Sequence, residues 1–196
     1  FSGWDVFRSQ MPLQTIINPT LINDQINSLV EIADQSGNNY LERWELLNAY
    51  SGCMLGNPAI SVLCDAYSKG IRSYDIDKAY QYALNTSRMF GNNENGYTPG
   101  SISHTLEYAY NDWCMARLAG WLGKEADKEL FERRSGTYTT LYDPDYGWFR
   151  PRNEKGEYLP LPEQGRLAEG YGCVESNAYQ QGWFVPHDVE GMIKLM

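Results

Sequence analysis

Histidine is almost missing from this sequence: His104 and His187 are the two in 196 residues. A His-rich metal centre within the chain is thereby excluded, and the His-x-x-Glu order at His104 and Glu107 has no second histidine beside it. Cysteine is sparse. Cys53, Cys64, Cys114 and Cys173 give neither a Cys-x-x-Cys pair nor zinc-finger spacing, so buried free thiols are expected, with one disulfide left open. No apolar run approaches a membrane span. Lys and Arg are outnumbered, 16 against 25 Asp and Glu for a net charge of −9, and they are scattered, which argues against a nucleic-acid partner. The sequence also lacks a Gly-x-Ser-x-Gly elbow, a Walker loop and a dinucleotide fingerprint. Asp143-Pro144-Asp145 with Glu154 fails as a calcium loop, because Gly147 and Trp148 stand where a ligand and the turn glycine belong. A turn with proline at its second position accounts for it better.

What is present reads as mainly helical. Pro19 suits a first helical turn, and Leu21, Ile22, Ile26, Leu29, Val30 and Ala33 follow at helical spacing up to Gly37. Pro58 opens a second helix that Gly70 ends, and Ile76, Ala79, Tyr80 and Ala83 mark a third. The clearest helix follows Pro99-Gly100, with Ser101 or Ser103 as N-cap and Ile102, Leu106, Ala109, Trp113 and Ala116 along it, and Gly123 ends it. Another, from Lys124 to about Leu141, comes after so short a connection that the two must form an antiparallel hairpin. Only Asp143 to Gly172 is rich in Pro, Gly and charge, with short extended pieces at Trp148-Phe149 and Tyr158-Leu159. Successive hairpins joined by long loops suggest a toroid of paired helices, a helical solenoid being the rival. No leader opens the chain at Phe1, and Gly191 to Met196 reads as a helix without a cap, so an internal piece of a longer protein is expected.

Three constellations carry possible chemistry. The segment from Gly172 to Asp188 places Glu175 in an irregular, glycine-flanked stretch beside Asn177, Gln180, Tyr179 and Trp183. A carboxyl held among aromatics is easier to protonate, and aromatic faces with amides suit a sugar, so the segment reads as one wall of a glycosidase pocket. An ordinary surface glutamate is the plainer alternative. Trp4, Asp5 and Arg8 are spaced to stack on and hydrogen-bond a hexose, or to form a simple i,i+3 ion pair at a helix start. Arg43-Trp44-Glu45 repeats that composition in a loop, where Trp44 either meets ligand or covers an apolar patch. His104, Glu107, Tyr108, Asn111 and Asp112 share one stripe of the long helix, which suits a polar face inside a toroid or plain solvent exposure.

At the level of whole motifs the chain resembles glycoside hydrolase family 92. The resemblance rests on Ser2-Gly3-Trp4-Asp5-Val6-Phe7-Arg8, Arg43-Trp44-Glu45-Leu46, Cys53-Met54-Leu55-Gly56, Asp65-Ala66-Tyr67-Ser68-Lys69-Gly70, Thr105 to Trp113, Glu175-Ser176-Asn177-Ala178 and Trp183 to Asp188, in that order. It implies an exo-acting α-mannosidase with an (α/α)6 toroid, calcium dependence and inversion of configuration. The expected substrate is a mannose-containing glycan, and the expected location is periplasmic or secreted. Residues 1–196 would be the first part of the toroid, completed by the remainder of the parent chain, an N-terminal β-sandwich and the second half of the toroid. Glu175 matches the family's general acid. Trp4 and Asp5 match the pair at the terminal mannose, with Arg8, Trp44 and Asn177 as further substrate-binding residues.

Calcium is expected to be bound mainly outside this stretch, by an Asn-Glu-Pro-Ser-His-His segment, with the general base on paired aspartates beyond Met196. An inverting site needs two carboxyls about 6.5–9.5 Å apart, so the piece alone is expected to be inactive. Met11, Asn57-Pro58, Tyr179 and Gln181 depart from the family's usual residues and bear on linkage preference. The rival from another class is a non-catalytic glycan-binding helical module.

Overall fold

The computed structural model of the protein describes residues 2–46 and 49–196. Helices start where the sequence offers a side-chain acceptor or a proline. After α1 (Gly3–Val6) and α2 (Gln10–Ile17), two short helices the periodicity did not single out, α3 (Pro19–Ser36) begins with Pro19 in its first turn and the Asn18 side chain accepting from the Leu21 N–H at 3.3 Å. Its apolar stripe, Ile22, Ile26, Leu29, Val30 and Ala33, is buried throughout, as the spacing predicts. An antiparallel pair of two-residue strands, β1 (Glu45–Leu46) and β2 (Ala49–Tyr50), leads to α4 (Pro58–Ser68), again opened by proline. In α5 (Ile76–Met89), Asp75 accepts from the Lys78 N–H at 3.0 Å.

The long helix, α6 (Ile102–Trp121), is capped by Ser101, whose hydroxyl accepts from the His104 N–H at 3.0 Å. Leu122-Gly123-Lys124 reverses the chain into α7 (Glu125–Ser135), and the two pack together more extensively than any other pair of elements described. Glu125 and Asp127 at the start of α7 and Arg133 and Arg134 at its end complement the helix dipole. The hairpin is as expected, but α7 stops at Ser135, short of Leu141. Residues 136–141 form a tighter 3-10 turn, in which Thr137 donates to the Arg134 carbonyl at 2.7 Å and Thr139 to that of Gly136 at 3.1 Å. Hydroxyls bonding three residues back compete with the α-helical ladder, and Gly136 adds little helical preference of its own.

Beyond this point the chain is mostly irregular. β3 (Tyr142–Asp143) and β4 (Trp148–Phe149) pair antiparallel with Tyr142 opposite Phe149, and a lone bridge joins Arg152 to Tyr158. Asp143 and Gly147 close the turn between them, the Gly147 N–H donating to the Asp143 carbonyl at 2.8 Å, while the Asp143 carboxylate takes a 2.5 Å hydrogen bond from Arg150. That is the turn the proline suggested. A single-turn helix, α8 (Ala178–Gln181), and α9 (Val189–Leu195), capped by Asp188, complete the fold.

Two apolar cores meet on α6. Its C-terminal half, with Met115, Leu118 and Ala119, packs with α3, α4 and α5. Its N-terminal half, with Ile102, Leu106 and Ala109, instead packs under Tyr138, Trp148, Phe149 and Val185 from the irregular region. The mainly all-α class therefore holds. All four cysteines are free; Cys64, Cys114 and Cys173 are buried, and Cys53 is exposed.

Candidate active site

The polar stripe of α6 is an internal scaffold rather than a solvated face. Glu107, Tyr108, Asn111 and Asp112 are all buried. Each holds a different segment of chain. Glu107 accepts a 2.9 Å hydrogen bond from the Trp4 indole N–H. Tyr108 accepts a 3.0 Å bond from the Arg43 guanidinium, which also donates to the Gly56 carbonyl at 2.6 Å and that of Met54 at 2.9 Å. The Asn111 side chain accepts from the Asn57 N–H at 2.6 Å, and Asp112 accepts from Arg134 at 3.0 Å and Ser87 at 3.2 Å. Gly56, at φ +64°, passes so close that a Cβ there would lie 2.9 Å from a Glu107 oxygen and 3.2 Å from the Asn111 oxygen. Only glycine fits both that backbone and that gap.

Burial without a full countercharge raises carboxyl pKa values here. Desolvation pushes Glu107 up to about 7, against the opposing pull of the Trp4 hydrogen bond and the charges of Arg8 and Arg43. It pushes Asp112 up to about 7 as well, opposed by Arg134 and Ser87. His104, half-buried and facing the positive charge of Arg43, is driven down to about 4 by desolvation and that charge and is neutral near pH 7.

The N-terminus of α6 anchors the Glu175 loop. The Ile102 and Ser103 N–H groups, orphan donors of a helix start, both bond the Gly172 carbonyl, at 2.7 and 3.0 Å, and the Ser103 hydroxyl accepts from the Val174 N–H at 3.0 Å. A Cβ on Gly172 would crowd Ile102 and Pro151 at 3.1 Å, so this approach too depends on glycine. Glu175 follows in a left-handed conformation, φ +52°, uncommon for a residue with a side chain and frequent where function fixes the backbone.

One cleft gathers the ends of these attachments. About 280 Å³ in volume, it is lined by Trp4, Arg8, Glu175, Ser176, Gln180, Gln181 and Phe184. The Arg8 guanidinium donates to the Trp4 carbonyl at 3.1 Å and lies 4.4 Å from the centre of the Trp4 ring. Among the described residues no ion pair joins Arg8 to Asp5, so the simple i,i+3 pair is not what this spacing forms. A hollow of about 410 Å³ elsewhere, between Tyr97 and Arg152, contains none of the residues singled out from the sequence.

The structure brings Trp4, Arg8 and Glu175 together and leaves the other candidates apart. Asp5 is exposed on α1, outside the lining. Trp44 is half-buried and tied to Ser2 by a bridge, which fixes the Arg43-Trp44 segment beside α1 without placing it in the cleft. Asn177 caps α8, its side chain accepting from the Tyr179 N–H at 3.0 Å in a capping box with Gln180. Glu175 is exposed rather than packed among aromatic rings, so these residues alone give it little enclosure.

Of the departures, Gln181 lines the cleft, whereas Tyr179 turns toward Trp148 and Arg166, Met11 is core, and Asn57 is bonded to α6. Gln180 lies in the segment read as a pocket wall, while Ser176 and Phe184 were not singled out within it and the positioning of Trp4 by Glu107 was missed. Among the described residues no three His, Cys, Asp or Glu side chains converge as a metal site. None of the described helices is long and apolar enough to cross a membrane.

Helical hairpins here carry an indole, a guanidinium and an exposed carboxylate to one cleft. The chain belongs to glycosyl hydrolase family 92, whose catalytic-domain model matches residues 1–196. It is 33% identical to the family GH92 alpha-mannosidase BT3965 of Bacteroides thetaiotaomicron, with a TM-score of 0.89, covering 98% of this chain and 27% of that one. It is 29% identical to the family GH92 inverting mannosidase BT2199 of the same organism, TM-score 0.90, covering 100% of this chain and 28% of that one. An uncharacterized secreted glycosidase of Arthroderma benhamiae is 32% identical over 122 residues, 52% of this chain and 16% of the relative. The chain thus spans little more than a quarter of the solved relatives' length, and its helical architecture is theirs, of the (α/α)6 type.

Proposed function

We propose that these residues form part of the catalytic domain of a secreted or periplasmic exo-α-mannosidase acting by inversion on mannose-containing glycans. The observation that carries this reading is the convergence of Trp4, Arg8 and Glu175 on one cleft in a chain of this family. Support comes also from the names of the neighbours, one an inverting mannosidase and one solved with mannoimidazole, and from the secreted relative.

In this reading a terminal mannose rests against the Trp4 ring, with hydroxyls within reach of Arg8, Gln180 and Gln181. Asp5 joins from the rim. Glu175 points its carboxyl at the glycosidic oxygen and donates the proton that lets the aglycone leave. Water attacks from the opposite face, activated by a carboxylate that the rest of the protein supplies, together with the calcium ligands. That remainder also closes over Glu175 and supplies the enclosure that its exposed loop lacks.

Proton NMR of the full-length protein acting on α-linked mannobioses tests the reading. Release of β-mannose first is the expected result. Release of α-mannose first overturns the inverting step, and binding without any hydrolysis across all linkages favours the non-catalytic glycan-binding module.

A further inference from the structure

Glu107 has no place in the chemistry just described, yet it is almost fully enclosed, 1% exposed on the second turn of α6. Its contacts are specific. One oxygen takes the Trp4 indole N–H at 2.9 Å across 103 positions of sequence. The other lies against Gly56, whose carbonyl accepts from Arg43. Trp4 stands on a four-residue helix, α1, its ring packed against the larger core on one side and under the Arg8 guanidinium, and its one described side-chain hydrogen bond is to Glu107. Packing limits the ring without setting its direction, whereas the indole N–H bond does so, and a sugar-stacking face is useful only at a fixed tilt.

We propose that Glu107 is a positioning residue: by accepting the Trp4 indole N–H it fixes the ring against which the sugar packs, and so sets the affinity of the cleft for a terminal hexose. This rests on the mannosidase reading for the identity of the sugar, though not for the tilt of the ring. The groups that face Glu107 are Trp4 from α1, Gly56 from the loop before α4, and Arg8 and Arg43 through their charges. Neither guanidinium has a described hydrogen bond to the Glu107 carboxyl. The hydrogen bond, not the charge, is therefore the working part. Nothing in the role requires a proton to move.

Two substitutions in the full-length protein separate bond from charge. Glu107→Gln keeps an acceptor at the same reach and discards the charge, whereas Glu107→Asp keeps the charge and withdraws the acceptor by one methylene. Measured on an α-mannobiose, Glu107→Gln is expected to hold KM within about twofold of wild type. Glu107→Asp is expected to raise KM about tenfold, with a smaller change in kcat. The Trp4 indole N–H resonance, assigned by its loss in Trp4→Phe, should stay in place in Glu107→Gln and move in Glu107→Asp. Thermal unfolding of each variant reports whether it is folded.

The opposite pattern, a damaged Gln variant and an intact Asp variant, would overturn the proposal, as would a KM unchanged in both. Should the wild type cleave no mannoside, the mannosidase reading fails by itself. The positioning proposal is then decided by the Trp4 resonance together with the binding of free mannose: an unmoved signal in Glu107→Asp would sink it, and a moved signal with weakened binding sustains it.

Discussion

Glu107, which reaches the cleft only through its bond to Trp4, and Glu175, which lines it, are built in opposite ways. Glu107 lies inside α6, enclosed by packing, its hydrogen bond fixed and its carboxyl easier to protonate than in water. Glu175 lies on a loop, exposed, with a left-handed backbone anchored to α6 through Gly172 and Val174. Under the proposed function, burial alone would select Glu107 rather than Glu175 as the acid. A buried group already bonded to a neighbour is closed to a ligand, while an exposed one on a pinned loop is open to it. In that reading the helix sets positions and the loops present the reacting groups.

The sharpest way to break this division is at Glu175. Replacing it by Gln in the full-length protein should lower kcat on a mannobiose by about 10²–10⁴-fold and spare an activated aryl mannoside, with no measurable change in thermal stability. An equal loss on both substrates would remove the acid role and leave the loop a binding element. Next comes the scaffold. Asp112→Leu removes the buried acceptor that holds the partly exposed Arg134 and Ser87 and should destabilise the fold by about 1–3 kcal/mol, read by denaturant unfolding. If stability is unchanged, the stripe is not the support described here. Gly56→Ala should cost about 1–3 kcal/mol through its positive φ and the overlap with Glu107, and should raise KM as Trp4 shifts.

A pH comparison sharpens the contrast further. Glu107 holds its proton to about pH 7 in the fold but only to 4.5 as an ordinary glutamate. The folded state therefore binds more protons between those values, and the stabilisation it contributes at low pH is lost as pH rises to 7. Glu107→Gln has no such titration. Its stability relative to wild type should rise by up to about 3 kcal/mol between pH 4.5 and 7, then level off. A difference flat with pH would mean that Glu107 is not desolvated as described. The smallest effect is expected at Glu175→Gly, which relieves the left-handed backbone and should change stability by less than about 1 kcal/mol.

Local rules carried the helices well. Proline at the start of α3 and α4, a serine cap on α6 and a glycine after it mark the helix ends from a few residues each. They failed where tertiary contact decided the matter. Threonine hydroxyls and the burial of Tyr138 ended α7 early, although its charge pattern runs on plausibly. Asn177 shows a local signal left unused, since the Asn-x-x-Gln capping box that opens α8 was legible in the sequence.

The site itself was half legible. Trp4, Arg8 and Glu175 were singled out by residue chemistry and by the resemblance to a family, and only the fold put them in one cleft. The stripe on α6 was visible as spacing, but buried scaffold and solvated face have the same spacing. Only partners more than fifty positions away, Trp4 for Glu107, Arg43 for Tyr108 and Asn57 for Asn111, distinguish them.

The account rests most directly on where a sugar lies. A crystal structure of the full-length protein with mannoimidazole should show the sugar ring against Trp4, still bonded to Glu107, and the Glu175 carboxyl about 3 Å from the position of the glycosidic atom. A sugar bound away from Trp4, with Glu175 facing solvent, would contradict it.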